Sequence, residues 1–141
     1  MGLIVVDSSV WIDWFADKQT IQTTALRRFT AEKHIVLVGD LILTEVLQGA
    51  RSDRYFREAV ARLSVFEQLA IVDRRVAIAA AQNYRMFRAR GVAIRKTIDT
   101  LIATRCILDR IPLLYGDRDF DPFVKHLGLI PALDAVSGAT Q

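Results

Sequence analysis

Apolar positions along the chain switch between two periods. Leu3-Ile4-Val5-Val6 is a continuous apolar run stopped by Asp7, which predicts a short strand buried on both faces, as in a parallel sheet. Ser8 or Ser9 is placed to cap the helix that follows, which carries Val10, Trp11, Trp14 and Phe15 at helical spacing. Residues 20–33 repeat the helical period, with Ile21, Ala25, Leu26 and Phe29 on one face. Residues 34–38 read as a second strand closed by Gly39. Asp40 or Thr44 opens a helix running to Gly49 or Ala50, and Asp53 is placed to cap another that reaches Phe66. Residues 68–72 read as a third strand, and residues 74–90 as a long helix ended by Gly91. After a loop over residues 92–97, residues 98–110 form a helix and residues 111–115 a fourth strand. An acidic turn from Asp117 to Asp121 leads to Pro122. Residues 127–133 read as a fifth strand, confined to an edge by the interior Pro131. Strands alternating with helices predict an α/β domain with a mainly parallel sheet of four to five strands flanked by helices.

At 141 residues, about half of them hydrophobic, the chain is sized for one domain with one core. No apolar run approaches the ~20 residues of a membrane span. The start meets Asp7 with no basic segment before it, and does not read as a signal peptide. The single cysteine, Cys106, falls on the apolar side of a helix with Ile98, Leu101 and Ile102. It reads as a core thiol, which fits a reducing, cytoplasmic setting. His34 and His126 have no partner motif and read as surface residues. The net charge of +3 permits a polyanionic partner, and its distribution says more. Between Arg74 and Ile98 there is no acid, only Arg74, Arg75, Arg85, Arg88, Arg90, Arg95 and Lys96. This stretch is either a solvated helix face or a surface for phosphates, with Arg85, Arg88, Arg95 and Lys96 as the backbone-contact candidates.

The acids recur where an open α/β sheet binds ligands, outside the carboxyl ends of its strands. Asp7 follows the first strand; Asp117 and Asp119 follow the fourth. Glu45 lies in the first turns after the second strand, among Leu41, Ile42, Leu43, Val46 and Leu47. Asp99 opens the helix before the fourth strand. Taken singly, Asp7 and Asp99 fit helix caps, and Asp117 and Asp119 fit turn residues. Taken together, carboxylates converging on one place repel and need a counter-charge. With neither His nor Cys among them, the ion that suits them is hard and oxygen-preferring, Mg²⁺ or Mn²⁺. Such ions hold phosphates, activate water and stabilise a leaving oxygen, so the chemistry suggested is cleavage of a phosphate ester. A haloacid-dehalogenase-like phosphatase is disfavoured, because Ser9 stands where that chemistry needs a second Asp. A dinucleotide-binding domain lacks its glycine-rich turn. The remaining alternative is a non-catalytic nucleic-acid-binding or scaffold module with structural carboxylates.

The segments Val-Val-Asp7-Ser-Ser9, Leu-Thr-Glu45-Val, Ile-Asp99-Thr-Leu-Ile-Ala103 and Gly-Asp117-Arg-Asp119-Phe120, in that order, resemble the PIN-domain ribonucleases. Within them the resemblance is closest to the VapC toxins of bacterial toxin–antitoxin pairs, and it spans Ile4 to about Pro131. It implies a PIN-like three-layer sandwich over residues 1–133, with residues 134–141 as a flexible tail. It also implies a metal-dependent endoribonuclease in which Asp7, Glu45, Asp99 and Asp117 hold Mg²⁺, with Mn²⁺ as a substitute. Asp119 would be an auxiliary acid, and Ser9 would hydrogen-bond a site carboxylate or the substrate. The turn reads Tyr115-Gly116-Asp117 where the family often has a threonine, which leaves the choice between Asp117 and Asp119 open. The expected partners are an RNA substrate, a small VapB-like antitoxin laid across the active-site groove, and a second copy of the chain. Trp11, Trp14 and Phe15 are either core or part of that groove.

Overall fold

The structure, a computed structural model, describes the backbone of residues 2–139 and the side chains of residues 2–135. Four strands form one sheet: β1 (Leu3–Val6), β2 (Ile35–Gly39), β3 (Glu67–Leu69) and β4 (Leu113–Leu114), in the order β3-β2-β1-β4. Every strand pairing is parallel, with Ile4 opposite Val36, Val6 opposite Leu114 and Val38 opposite Gln68. β1 and β2 are central, and Ile4, Val5, Val6, Val36, Leu37 and Val38 are all buried. A strand covered on both faces has no polar side to show, hence the unbroken apolar runs.

Between β1 and β2 lie α1 (Ser8–Phe15) and α2 (Ile21–Ala31); α3 (Asp40–Gln48) and α4 (Asp53–Leu63) link β2 to β3. The long α5 (Arg74–Ala89) and α6 (Thr97–Leu108) pack on each other between β3 and β4. Side chains start these helices. Thr20 and Thr23 form a reciprocal capping box on α2, and Asp73 accepts from the Val76 amide on α5. At α1 the structure chooses among the caps the sequence offered, and at α4 it differs from expectation. Asp7, not Ser8 or Ser9, caps α1, and Ser52, not Asp53, caps α4. In each case the residue one step earlier has the extended backbone that aims its oxygen at the first free amides. Gly91 has a φ of +73°, the left-handed conformation that ends α5's run without strain.

The fifth strand expected over residues 127–133 does not form. A 3-10 turn (Arg118–Phe120) leads into α7 (Asp121–Leu127), which has a proline in its first turn and stops at Gly128, φ +78°. Proline fits a helix start because its missing N–H has no partner there, and glycine fits the left-handed stop. What remains of the edge is one bridge between Pro131 and Leu113, with the Leu113 amide donating to the Ile130 carbonyl at 2.9 Å. α8 (Ala132–Ala139) follows, starting in the segment read as a strand and running into the one read as a tail; residues 140 and 141 lie outside the described residues. β3 and β4 are also shorter than their apolar runs. The residues beyond them are spent on packing: Ile71 and Ile111 are both buried outside any strand.

The core gathers Trp11, Phe29, Phe87, Phe120 and Phe123 around the two central strands. Cys106 is buried there, and burial pushes its thiol up to about 12, so it is an inert core group as expected. His34 is partly covered, its Nδ1 accepting from the Gly2 amide at 3.1 Å.

Candidate active site

The strand order reverses between β1 and β4: from β1 the chain moves to one side for β2 and β3 and returns on the other for β4. At such a switch point the loops leaving adjacent strands part and open a crevice. Asp7 leaves β1 there and Asp117 follows β4. The Asp7 amide donates to the Leu114 carbonyl at 2.9 Å, which ties the two strand ends together.

Asp7 is 3% exposed. Its Oδ2 accepts from the Ser9 hydroxyl at 2.8 Å and the Ser9 amide at 3.3 Å, while its buried Oδ1 has no partner. Burial raises its carboxyl above the ordinary range, against the Ser9 hydrogen bonds. Of the two partners expected for Ser9, a site carboxylate or the substrate, the fold gives it the Asp7 carboxylate. Ser8, read from the sequence only as a possible helix cap, donates to Glu45 Oε1 at 3.1 Å and joins α1 to α3. Glu45 is half-buried, and desolvation raises it, opposed by Ser8 and reinforced by the nearby Asp7.

Asp99 is 4% exposed, and its Oδ2 is buried without a partner. It is not a cap: the residue before α6 is Lys96, and no side chain caps that helix. Burial first, then the Asp7 charge, pushes Asp99 up to about 7. Asp117 Oδ1 accepts from the Asp119 amide at 2.9 Å, and its Oδ2 lies 3.7 Å from Lys96 Nζ. Asp99, Asp117 and Asp119 offer carboxylate oxygens that all lie within 4.8 Å of one another. Asp7 and Glu45 stand outside that tight group but feel its charge.

Of the five sequence-selected acids, Asp99, Asp117 and Asp119 form one oxygen cluster, and Asp7 and Glu45 lie near enough to feel its charge. The basic candidates divide. Lys96 stands at the acids. Arg85 and Arg88 are exposed on α5, Arg88 with its guanidinium 5.9 Å from the Tyr84 ring, and Arg95 is exposed in the loop between α5 and α6. Arg75 is engaged elsewhere, paired with Asp109 at 3.0 Å.

Desolvated acids raise one another, and Asp7 Oδ1 and Asp99 Oδ2 would be costly orphans without a cation to meet them. The donor set is all oxygen. These residues fit a hard divalent cation, which would neutralise the cluster.

The model of the PIN domain family matches residues 4–124. The chain is 28% identical over 128 residues to the VapC ribonuclease Mb1587 of Mycobacterium bovis and to ribonuclease VapC11 of Mycobacterium tuberculosis, in both cases covering 90% of this chain and 96% of the relative. Among solved structures, VapBC2 of Rickettsia felis, bound to a promoter DNA fragment, superposes with a TM-score of 0.74 at 14% identity, over 92% of this chain and 96% of that one. VapC20 of Mycobacterium tuberculosis, a toxin that cleaves the sarcin-ricin loop, superposes at 0.60 and 17% identity, over 84% and 93%. With its acids gathered at the switch point and the family model covering most of its length, this chain belongs to the PIN-domain family.

Proposed function

We propose that the chain is a divalent-metal-dependent endoribonuclease, the toxin of a toxin–antitoxin pair. The observation that carries this reading is the pair of buried carboxylate oxygens, Asp7 Oδ1 and Asp99 Oδ2, left without partners in a crevice lined by further acids. The names of its relatives, VapC ribonucleases and VapBC complexes, support it. Asp7, Glu45, Asp99 and Asp117 hold Mg²⁺ or Mn²⁺, with Asp119 as an auxiliary ligand. When bound, the cation supplies Lewis-acid polarisation of the phosphate and of the attacking water.

The protein's own groups do the rest. Ser9 and Ser8 hold Asp7 and Glu45 in place through the hydrogen bonds described, so the carboxylates need no rearrangement as charge develops. Burial of Asp7 and Asp99 keeps bulk water from screening them. Lys96, with Arg85, Arg88 and Arg95 further out, receives the phosphate backbone. In-line attack by water leaves a 5′-phosphate and a 3′-hydroxyl. A structured RNA with an exposed loop suits a reader of single-stranded bases. The natural partners are a small VapB-like antitoxin and a second copy of the chain, and the setting is the cytoplasm.

The test is incubation with total cellular RNA in Mn²⁺ and in EDTA, with the new ends mapped. Cleavage with 5′-phosphate ends, abolished by chelator, is the expected result. Full cleavage in excess chelator, or cyclic-phosphate ends, would overturn the mechanism. RNA binding that ignores Mn²⁺, with no cleavage, would favour a scaffold role instead.

A further inference from the structure

Beside the acids, across Gly116, lies an open cavity of about 360 Å³. Its floor is apolar, from Leu113, Val124 and Pro131. Its rim carries Gln22, Tyr115, Arg118, Asp121 and Asp134. An apolar floor with a few convergent polar groups is the usual make-up of a small-ligand site.

Gly116 is the wall shared with the acidic crevice. A Cβ at this position would sit 3.8 Å from Gln22 Cδ and 3.9 Å from Ser9 Oγ. That same Ser9 hydroxyl is bonded to Asp7, and Gly116 immediately precedes Asp117. Gly116 is not among the glycines with positive φ, so its backbone does not require glycine. Its missing side chain leaves the backbone between Gln22 and Ser9 uncovered. Gly116 lines the cavity and is followed directly by Asp117, so a nucleotide with its phosphate at the acids can place its base in the cavity.

The rim chemistry selects the base. Tyr115 is a fixed wall: its ring packs 5.4 Å from that of Phe120, and its hydroxyl donates to Asp121 Oδ1 at 3.2 Å. A held aromatic ring is a stacking platform for a base. Two carboxylates against one guanidinium make the rim net negative, which repels a free phosphate and favours a neutral ligand with N–H donors. Among the described residues, the Gln22 carboxamide and the Arg118 guanidinium make no side-chain hydrogen bond or ion pair, so both are free for a ligand. Guanine matches this set best. It offers paired N–H donors at N1 and N2 to a carboxylate, and paired acceptors at O6 and N7 to an arginine.

We propose that this cavity receives a guanine base of the RNA strand, next to the phosphate held at the acids. The proposal rests on the ribonuclease reading above, but its test does not need cleavage. The amide spectrum of the protein is followed by NMR during titration with guanosine, adenosine, cytidine and uridine, which carry no phosphate, in the absence of divalent metal. Guanosine is expected to shift Gln22, Tyr115, Gly116 and Arg118, and to bind at least about fivefold more tightly than cytidine or uridine, the lower end of what one bidentate base contact discriminates. Gln22→Ala and Arg118→Ala, each with an unchanged melting temperature, are expected to lose that preference. Equal binding of all four nucleosides, or shifts confined to other parts of the fold, would overturn the pocket. A chain that cuts RNA yet shows no such shifts loses this inference alone; one that binds guanosine here but cuts no RNA loses the ribonuclease reading alone.

Discussion

Lys96 Nζ lies 3.7 Å from Asp117 Oδ2, so a cation on this chain already faces the acids that a metal would bind. The acids in turn raise the lysine, Asp99 most of all, which keeps it charged. Lys96 and a metal ion therefore compete for the same negative field. Lys96→Met is expected to tighten Mn²⁺ binding by roughly threefold to tenfold at low salt, and by less at higher ionic strength, because the lysine is half-exposed and screened. Calorimetric titration of the RNA-free protein measures this directly. An unchanged affinity would mean that Lys96 points away from the acids in solution.

Asp99 gives a pH test with a definite sign. A carboxyl whose folded value is raised holds its proton more tightly folded than unfolded, so ionising it costs native stability. The cost is absent below the ordinary value of 3.8, grows as pH rises, and is complete above about 7. In EDTA, Asp99→Asn should melt higher than the parent by about 3 °C or more near pH 8, and level with it near pH 4. It should also lose much of the stabilisation that Mn²⁺ gives the parent, since only a ligand bound to the native state raises stability. A mutant that melts lower at both pH values would return Asp99 to a structural role.

The placing of Asp7, Asp99, Asp117 and Asp119 was legible in the sequence because each sits at or near an element end that its neighbours announce, whereas Glu45 lies inside α3. Leu3 to Val6 is an apolar run, buried from Ile4 to Val6, and the polar residue stopping it had to lie at a strand's carboxyl end. The misreadings have physical causes. Residues 127–133 are apolar enough for a strand, but a short apolar run cannot distinguish strand from the packing of a helix end. Gly128 and Pro131 were the better signals: one takes a left-handed stop and the other lacks an amide to pair. Ser8 bonding Glu45 spans 37 positions, and no local pattern carries it. The Gln22–Gly116 contact is likewise made only by the fold.

Gly39 tests how closely the fold seats Glu45. It precedes α3, has an ordinary φ of −73°, and needs no special conformation. A Cβ there would meet Ile71 Cδ1 at 2.7 Å, and Ile71 is fully buried. Gly39→Ala is expected to cost about 1–3 kcal/mol by overpacking, read from urea unfolding. Gly49→Ala, whose Cβ would meet nothing nearer than the Val46 carbonyl at 3.6 Å, is the control and should stay within about 0.5 kcal/mol. Equal stability of Gly39→Ala and the parent would show that β3's exit can yield.

The aromatic cluster on α1 divides between core and surface. Trp11 is fully buried, whereas Trp14 and Phe15 are half-buried, with the Arg62 guanidinium 4.7 and 4.6 Å from their ring centroids. Exposed Ile12 and Phe56 lie on the helices that carry this cluster. If the proposed antitoxin crosses here, Trp14→Ala should weaken the complex at least about tenfold, as expected for a buried aromatic anchor. Unchanged inhibition by a properly folded Trp14→Ala would place the antitoxin elsewhere.

The choice between Asp117 and Asp119 turns on what each side chain already does. Asp117 follows β4 closely; its Oδ1 is committed to the Asp119 amide and its Oδ2 faces Lys96. Its position is thus set before any metal arrives. The Asp119 carboxylate rides on the 3-10 turn, and its place depends on the turn that Asp117 caps. Both reach the oxygen cluster with Asp99. An asparagine at either position keeps an acceptor oxygen, so the turn should survive substitution and both variants should fold. Asp119→Asn, as the auxiliary ligand, is expected to lose about 10–100-fold in Mn²⁺ affinity, the scale of an outer partner. Asp117→Asn should lose more than that, and with it the cleavage of RNA. Calorimetry on the RNA-free proteins separates the metal effect from catalysis. Equal collapse of both would make the turn a joint ligand. Collapse of Asp119→Asn alone would transfer the fourth position to Asp119 and leave Asp117 as the residue that orients it.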